Sequence, residues 1–424
     1  MRVLWFTNIP MPEFSRHLGD NQSVKGGWMT SLADAIREEN SVSLGIASCV
    51  LGQPATHANI AGISHFNIPL QFSDELESQP SAATLRQCKK VVDEFKPDVI
   101  HIHGTEKFYG LLTARGHITT PTVISIQGLV KECARYYFGG LSVLEILRAS
   151  TFADIGFRNG LINQKMAWNK RASIEHEIIA GNTAFIGRTL WDRAHMRAIN
   201  PDAKYFHCDE LLRRPFYDYQ WNRKTCSPFT IFSPSGAYPL KGIHWLLKAA
   251  ALLKREFPEI KIRIAELNFA MGVKNKSLLQ RMKMPGYQYL LGRMVDELQL
   301  HDVIQIGGYL TAEQMADEIA KAHVAVFPSV IDNSPNSLCE AMLLGTPCAV
   351  SLTGGMSSLV EDRKSAMCFQ TCDEAAIAEC VRMIFTDDSL AGRLSCEGRA
   401  SAYKRHDKQK IVAKILEVYS SLCV

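Results

Sequence analysis

Short apolar runs rich in β-branched residues alternate along this chain with longer segments of helical period. In the first half the runs fall at 3–8, 42–47, 98–103, 122–126 and 183–186, near-continuously apolar as strands buried on both faces of a parallel sheet are. After the first of them, Trp28, Met29, Leu32, Ala33 and Ile36 share one stripe with Asp34, Arg37 and Glu38 opposite, the 3.6-residue period of an amphipathic helix. The rhythm restarts beyond a polar, aromatic and basic bridge at 213–224, with runs at 229–232, 260–265, 303–306, 322–327, 347–350 and 366–369. This alternation predicts an α/β fold of two successive parallel-sheet units, a first domain over 1–222 and a second over 223–405. In the tail, Ile411, Val412, Ile415, Leu416, Val418 and Tyr419 form an apolar stripe over 408–421, predicting a helix that docks on one of these bodies.

Composition narrows the class without choosing within it. A chain of 424 residues with 46% hydrophobic and 21% charged residues can bury two ordinary cores and has no disordered character. A net charge of +4 favours anionic ligands or membrane surfaces only weakly and does not predict a nucleic-acid binder. The twelve cysteines are scattered, form no CxxC, and sit partly in apolar runs, so they read as reduced core thiols rather than as metal ligands. The chain starts on a strand-like run without a cleavage signal, and nothing in it reaches the ~20 apolar residues of a membrane span. The expectation is a cytoplasmic protein.

Two segments break the rhythm. Residues 131–175 carry seven Lys/Arg against four Asp/Glu, interleaved with aromatic residues, a mixture suited to an interface; helices of this kind more often pack on their own domain, which is the expectation here. Residues 266–300 form a polar, Met-containing insertion with no readable role.

Candidate chemistry gathers where predicted strands turn into helices. Asp332 and Glu340 lie eight positions apart, in a loop after the run at 322–327 and in the helix that follows it, and Gly354-Gly355 comes shortly afterwards. Ligands of open α/β sheets bind at such strand ends, and a helix N-terminus favours anionic or hydroxyl-rich groups. Taken alone, the two acids would be an ordinary loop carboxylate and an ordinary helix carboxylate. Gly26-Gly27 separates the first strand from its helix, where a backbone without Cβ can approach a phosphate. Gly236 and Lys241 follow the first strand of the second unit, bringing a cation to a helix start. No GxGxxG and no GxxxxGK[ST] occurs, which excludes the usual nicotinamide and P-loop fingerprints.

Together, the glycine loop, the run at 98–104, Lys241-Gly242, Gly307-Gly308-Tyr309, the acidic loop, Gly345-Thr346-Pro347 and Gly354-Gly355 resemble the family 4 retaining glycosyltransferases. The resemblance spans most of the chain. It implies the GT-B fold, two Rossmann-like domains facing across an interdomain cleft, with the last helix crossing back to the first domain. It also implies a nucleotide-sugar donor with UDP or GDP on the second domain and a glycan or lipid-linked acceptor on the first. Neither a cofactor nor an obligatory metal is implied, and peripheral contact with the inner face of a membrane, as in surface-polysaccharide synthesis, is among the expectations.

Carried onto this chain, the resemblance makes Lys241 the group that neutralises the leaving phosphate, Glu340 the acceptor of ribose hydroxyls and Asp332 a donor-sugar contact one methylene shorter than the usual Glu. Gln127 stands where many relatives carry His and cannot titrate near neutrality, while His103 is a further sugar contact or a core residue. Donor contacts are expected at Gly26, Gly27, Gly236, Ser334, Asn336, Ser337, Gly355, Met356 and Tyr309. Glu210, Arg213 and Arg214 are expected to bridge the domains. Departures from the family pattern at Ala237, Gln127 and Asp332 keep a catalytically weak binding or scaffold subunit open, and a sugar-nucleotide epimerase would reuse the same architecture.

Overall fold

The computed structural model describes residues 1–20, 27–39, 41–157, 159–234, 238–265 and 272–423. It divides into two compact units: Met1–Lys131 with Trp168–Arg213 and Arg405–Val424, and Glu132–Ala167 with Arg214–Lys404. The sequence pattern placed one division near residue 222; the chain instead passes between units four times.

The first unit is built on strands β1 (Arg2–Thr7), β2 (Ser43–Leu51), β3 (Thr56–Ile60), β4 (Ile63–Leu70), β5 (Val99–His103), β6 (Thr122–Ser125), β7 (Ala184–Gly187) and β8 (Lys204–His207). Their order is β3-β4-β2-β1-β5-β6-β7-β8, parallel except for the β3–β4 hairpin. Alternate side chains of β1 feed two cores, Leu4 and Phe6 on one face of the sheet, Val3 and Trp5 on the other. The helix Gly27–Arg37 covers the second face, burying Met29, Leu32, Ala33 and Ile36 as its stripe requires. The final helix, Lys408–Leu422, buries Ile411, Val412, Ile415, Val418 and Tyr419 in that same core. Tyr419 fixes it there, its hydroxyl taking a hydrogen bond from Trp5 Nε1 at 3.0 Å.

Strands β9 (Thr230–Ser233), β10 (Lys261–Ala265), β11 (Ile304–Gly308), β12 (Val324–Phe327), β13 (Cys348–Ser351) and β14 (Met367–Phe369) form the second sheet. Its order is β11-β10-β9-β12-β13-β14, parallel throughout. Residues 132–167 join this unit rather than the sheet they follow in sequence, contrary to the expectation for the basic and aromatic segment. The reason is a polar clasp: the Gly139 carbonyl accepts from His244 Nε2 and Trp245 Nε1, each at 2.9 Å. Gly139 has φ +64°, and a Cβ there would collide with the Pro239 carbonyl oxygen. Buried His244 accepts from the Tyr287 hydroxyl at 2.9 Å on its other nitrogen, and burial holds its pKa down to about 4, so the ring is neutral. Among the described residues no helix is long and apolar enough to cross a membrane, and all twelve cysteines are free.

Candidate functional site

In each sheet the strand order reverses beside a central strand, at β1/β5 and at β9/β12, which opens a crevice at the strands' carboxyl ends. Loops leaving β9, β12 and β13 meet at the second of these. Lys241 closes a short turn, Pro239–Lys241, that ends on Gly242 at φ +70°. A side chain at 242 would strike the Pro328 carbonyl oxygen, and the Leu240 carbonyl accepts from Val330 N–H at 2.7 Å. The turn after β9 is thus fastened to the loop after β12. Lys241 Nζ donates to Asp332 Oδ2 at 2.8 Å, with the two side chains only 22% and 17% exposed. Burial alone would lower the lysine pKa; the adjacent Asp332 carboxylate outweighs it and raises the value, so Lys241 is a permanent cation.

Asp332 is itself held. Its Oδ2 accepts from Ser329 Oγ at 3.3 Å, its Oδ1 from Asn333 N–H at 3.0 Å, and its carbonyl from Gly355 N–H at 3.0 Å. That last bond ties in the loop after β13, where Gly354 adopts φ +51° and a Cβ would meet the Asp332 carbonyl. Met356 is buried beside it, its sulfur 3.7 Å from Ser351 Oγ. The helix Asn336–Leu344 starts at the same mouth, and Pro335 provides no side-chain cap, so its terminal amides and dipole favour an anion or a hydroxyl oxygen there. Ser334 is buried just before the helix, and Asn336 and Ser337, both half-buried, are its first two residues. Glu340 is its fifth residue, in the second turn rather than the first, and only 2% exposed. Tyr309 follows edge strand β11 and is 62% exposed. Gly236 lies outside the described residues.

The crevice of the first unit holds the other candidates. Gly27 opens the helix Gly27–Arg37, while Gly26 lies outside the described residues. His101 has a structural role: Nδ1 accepts from Tyr419 Oη and Nε2 donates to Ser125 Oγ, both at 2.7 Å, and burial drives its pKa well down. His103, next along the same face, packs with its ring tilted against those of His101 and Trp5, at centroid distances of 3.9 and 4.5 Å. Burial holds its pKa down to about 4, and its buried Nε2 has no hydrogen-bond partner. A neutral ring aimed into a cavity of about 30 Å³, shared with Arg188 and Glu210, is the result. Gln127 is engaged at both ends: Nε2 donates to Glu210 Oε1 at 2.6 Å, and Oε1 accepts from Arg188 Nη2 at 3.3 Å. Arg188 Nη1 closes the ring on Glu210 Oε2 at 2.9 Å. Glu210 therefore works within the first unit as the partner of Gln127 and Arg188. The role of Arg188 was missed in the sequence, although a cation two positions after the predicted strand at 183–186 was its signal. A second cavity of about 290 Å³ opens at the ends of β1, β4 and β5, lined by Asn8, Asp74, Glu106, Lys107 and Arg171 among others. Burial raises the Glu106 carboxyl above its usual range.

Comparison with known proteins assigns the class. Residues 219–401, which contain Lys241, Tyr309, Asp332, Glu340 and Gly355, match the family Glycosyl transferases group 1. The chain is similar to the D-inositol 3-phosphate glycosyltransferase of Streptomyces avermitilis, 32% identical over 164 residues that make up 39% of this chain and 33% of that protein. It spans about a third to two fifths of the length of the curated relatives it matches. Sucrose-phosphate synthase from Thermosynechococcus elongatus superposes with a TM-score of 0.70 at 15% identity, covering 99% of this chain and 98% of that one. HepE from Anabaena, solved in complex with UDP-glucose, gives a TM-score of 0.64 at 14% identity over 99% of this chain and 100% of that one. The protein has the GT-B glycosyltransferase fold, and its residues 219–401 belong to the group 1 glycosyl transferases.

Proposed function

We propose that this protein is a retaining glycosyltransferase that moves a sugar from a UDP- or GDP-sugar to a hydroxyl of a glycan or lipid-linked acceptor in surface-polysaccharide synthesis, with no metal required. The observation that carries the reading is Lys241, a half-buried cation pinned by Asp332 at the β9/β12 switch point, inside the group 1 match and beside the N-terminus of the helix Asn336–Leu344. That is where a diphosphate finds charge and amides together. In the transfer, the C1–O bond to the diphosphate breaks with its electron pair on the phosphate oxygen. The acceptor oxygen bonds C1 on the same face, and its proton passes to that phosphate oxygen. Stabilising the departing charge is the main catalytic demand, and Lys241 supplies it.

In this reading Glu340 holds the ribose hydroxyls, Asp332, Ser334 and Ser337 the donor sugar, and Tyr309 the base side of the nucleotide. In the first unit, the cavity around Asn8, Glu106, Lys107 and Arg171 receives the acceptor. Gln127, fixed by Arg188 and Glu210, orients a sugar hydroxyl, with His103 as a neutral neighbour. Incubation with a panel of UDP- and GDP-sugars, following free nucleotide, tests the proposal. Release is expected for one donor, and Lys241→Ala should abolish most of it. Failure of the protein to bind or turn over any of them would sink the reading.

A further inference from the structure

The part of the second unit built from residues 132–167 presents an outer face of unusual composition. In the helix Val143–Ala149, Ile146 and Ala149 point into the core, yet Val143, Leu144 and Leu147 on the outer side are 73%, 55% and 59% exposed. A helix lying on a protein surface normally turns polar side chains outward; this one is apolar on both sides. Phe152, in the next helix, is 68% exposed, and Leu278 and Leu279, at the start of the helix Leu278–Met282, are 72% and 68% exposed. These pieces are neighbours. Thr151 Oγ1 donates to the Met284 carbonyl at 2.9 Å, and Gly286 packs so closely on the Ala149 carbonyl that a Cβ would collide with it.

Charge is sorted across this face. Residues 272–285 hold four cations, Lys274, Lys276, Arg281 and Lys283, and no carboxylate, and Arg148 is exposed beside Leu147. The nearby acids are turned inward: Glu145 pairs with Lys248 at 3.3 Å, and buried Asp154 accepts from Thr151 N–H at 3.0 Å and Gly286 N–H at 3.3 Å. Exposed apolar side chains rimmed by cations, with carboxylates withdrawn, match the boundary of an anionic bilayer, where hydrocarbon meets phosphate. We propose that this face docks the protein on an anionic lipid surface, Val143, Leu144, Leu147, Phe152, Leu278 and Leu279 entering the interface and the lysines meeting lipid phosphates. The inference does not rest on the transfer reading.

Co-sedimentation of the full chain with vesicles tests it. The protein should pellet with phosphatidylcholine–phosphatidylglycerol vesicles and stay in solution with phosphatidylcholine alone, and added salt should release it. Leu144→Ser with Leu147→Ser, and separately Lys274→Ala with Lys276→Ala and Lys283→Ala, should each weaken binding by about tenfold, in proportion to lost apolar area and lost charge. The altered side chains are surface groups, so the melting temperature should hold for both variants. No binding to the anionic vesicles, or unchanged binding by both variants, overturns the proposal. So does light scattering that shows a dimer of the parent protein broken to monomer by the serine variant, because the face would then belong to a second copy.

Discussion

At the scale of single residues, the site turns on one ion pair. Lys241 and Asp332 are too shielded to count as a surface pair and too exposed to count as a fully buried one. Removing either partner should therefore cost about 1–2 kcal/mol, between the surface and buried extremes. The two substitutions should separate in function. Lys241→Ala deletes the charge proposed to meet the leaving phosphate and should lower kcat by roughly 10²–10³-fold, the usual effect of losing one such group. Asp332→Asn leaves the cation in place but removes a carboxylate that competes for it. Titration calorimetry should then show nucleoside diphosphate binding equal to or tighter than the parent, while transfer slows. A parallel fall in both quantities would show that Asp332 serves binding alone. This pairing was not readable from the sequence, where Lys241 and Asp332 were assigned to phosphate and sugar separately. They stand 91 positions apart, and only the adjacency of β9 and β12 joins them.

Among the elements, glycines carry the geometry that the loops impose. Gly354 holds φ +51° against the Asp332 carbonyl, so Gly354→Ala introduces both left-handed strain of about 1–2 kcal/mol and a collision with backbone. A lowered melting temperature together with slowed sugar transfer is expected, since the loop that fixes Asp332 must move. Gly392 provides the contrast: it lies exposed within the helix Asp388–Arg405 with nothing near its absent side chain. Gly392→Ala should raise stability by about 1 kcal/mol and leave nucleotide binding alone. Equal melting temperatures for the two variants would contradict the conformational account. Eleven strands were legible because buried parallel strands are near-continuous apolar runs. β3 and β8 were not, being half-exposed edge strands, and β4 was masked by His65, Asn67 and Pro69 within it. The loop that carries Asp332 was legible as a strand-to-helix connection from residue type and position, whereas the Gln127–Arg188–Glu210 ring was not, since its members come from three separate strand ends.

For the whole molecule, the chain's repeated passage between units makes each unit depend on distant sequence, and buried histidines are spread through both. Burial holds His65, His103 and His406 in the first unit, and His244 and His323 in the second, down to about 4, and His101 well below its usual value. An unfolded histidine takes its proton near pH 6.5, so a depressed folded value contributes stability above that pH and loses it as the pH falls towards about 4. Each such group adds a slope of about 1.4 kcal/mol per pH unit in that window. Glu175 runs the other way. Burial raises it to about 7, so its contribution is present at low pH and is lost as the pH rises from about 4.5 to 7. Glu106, raised by burial, and His207, raised chiefly by its hydrogen bond to Asp209, act in the same direction as Glu175, so three groups oppose the four histidines of the first unit and soften its acid dependence. Melting should therefore fall as the pH drops from about 6.5 to 5, before most carboxylates titrate. A melting temperature flat across that range would mean that these histidines gain their protons without opening the cores that hold them.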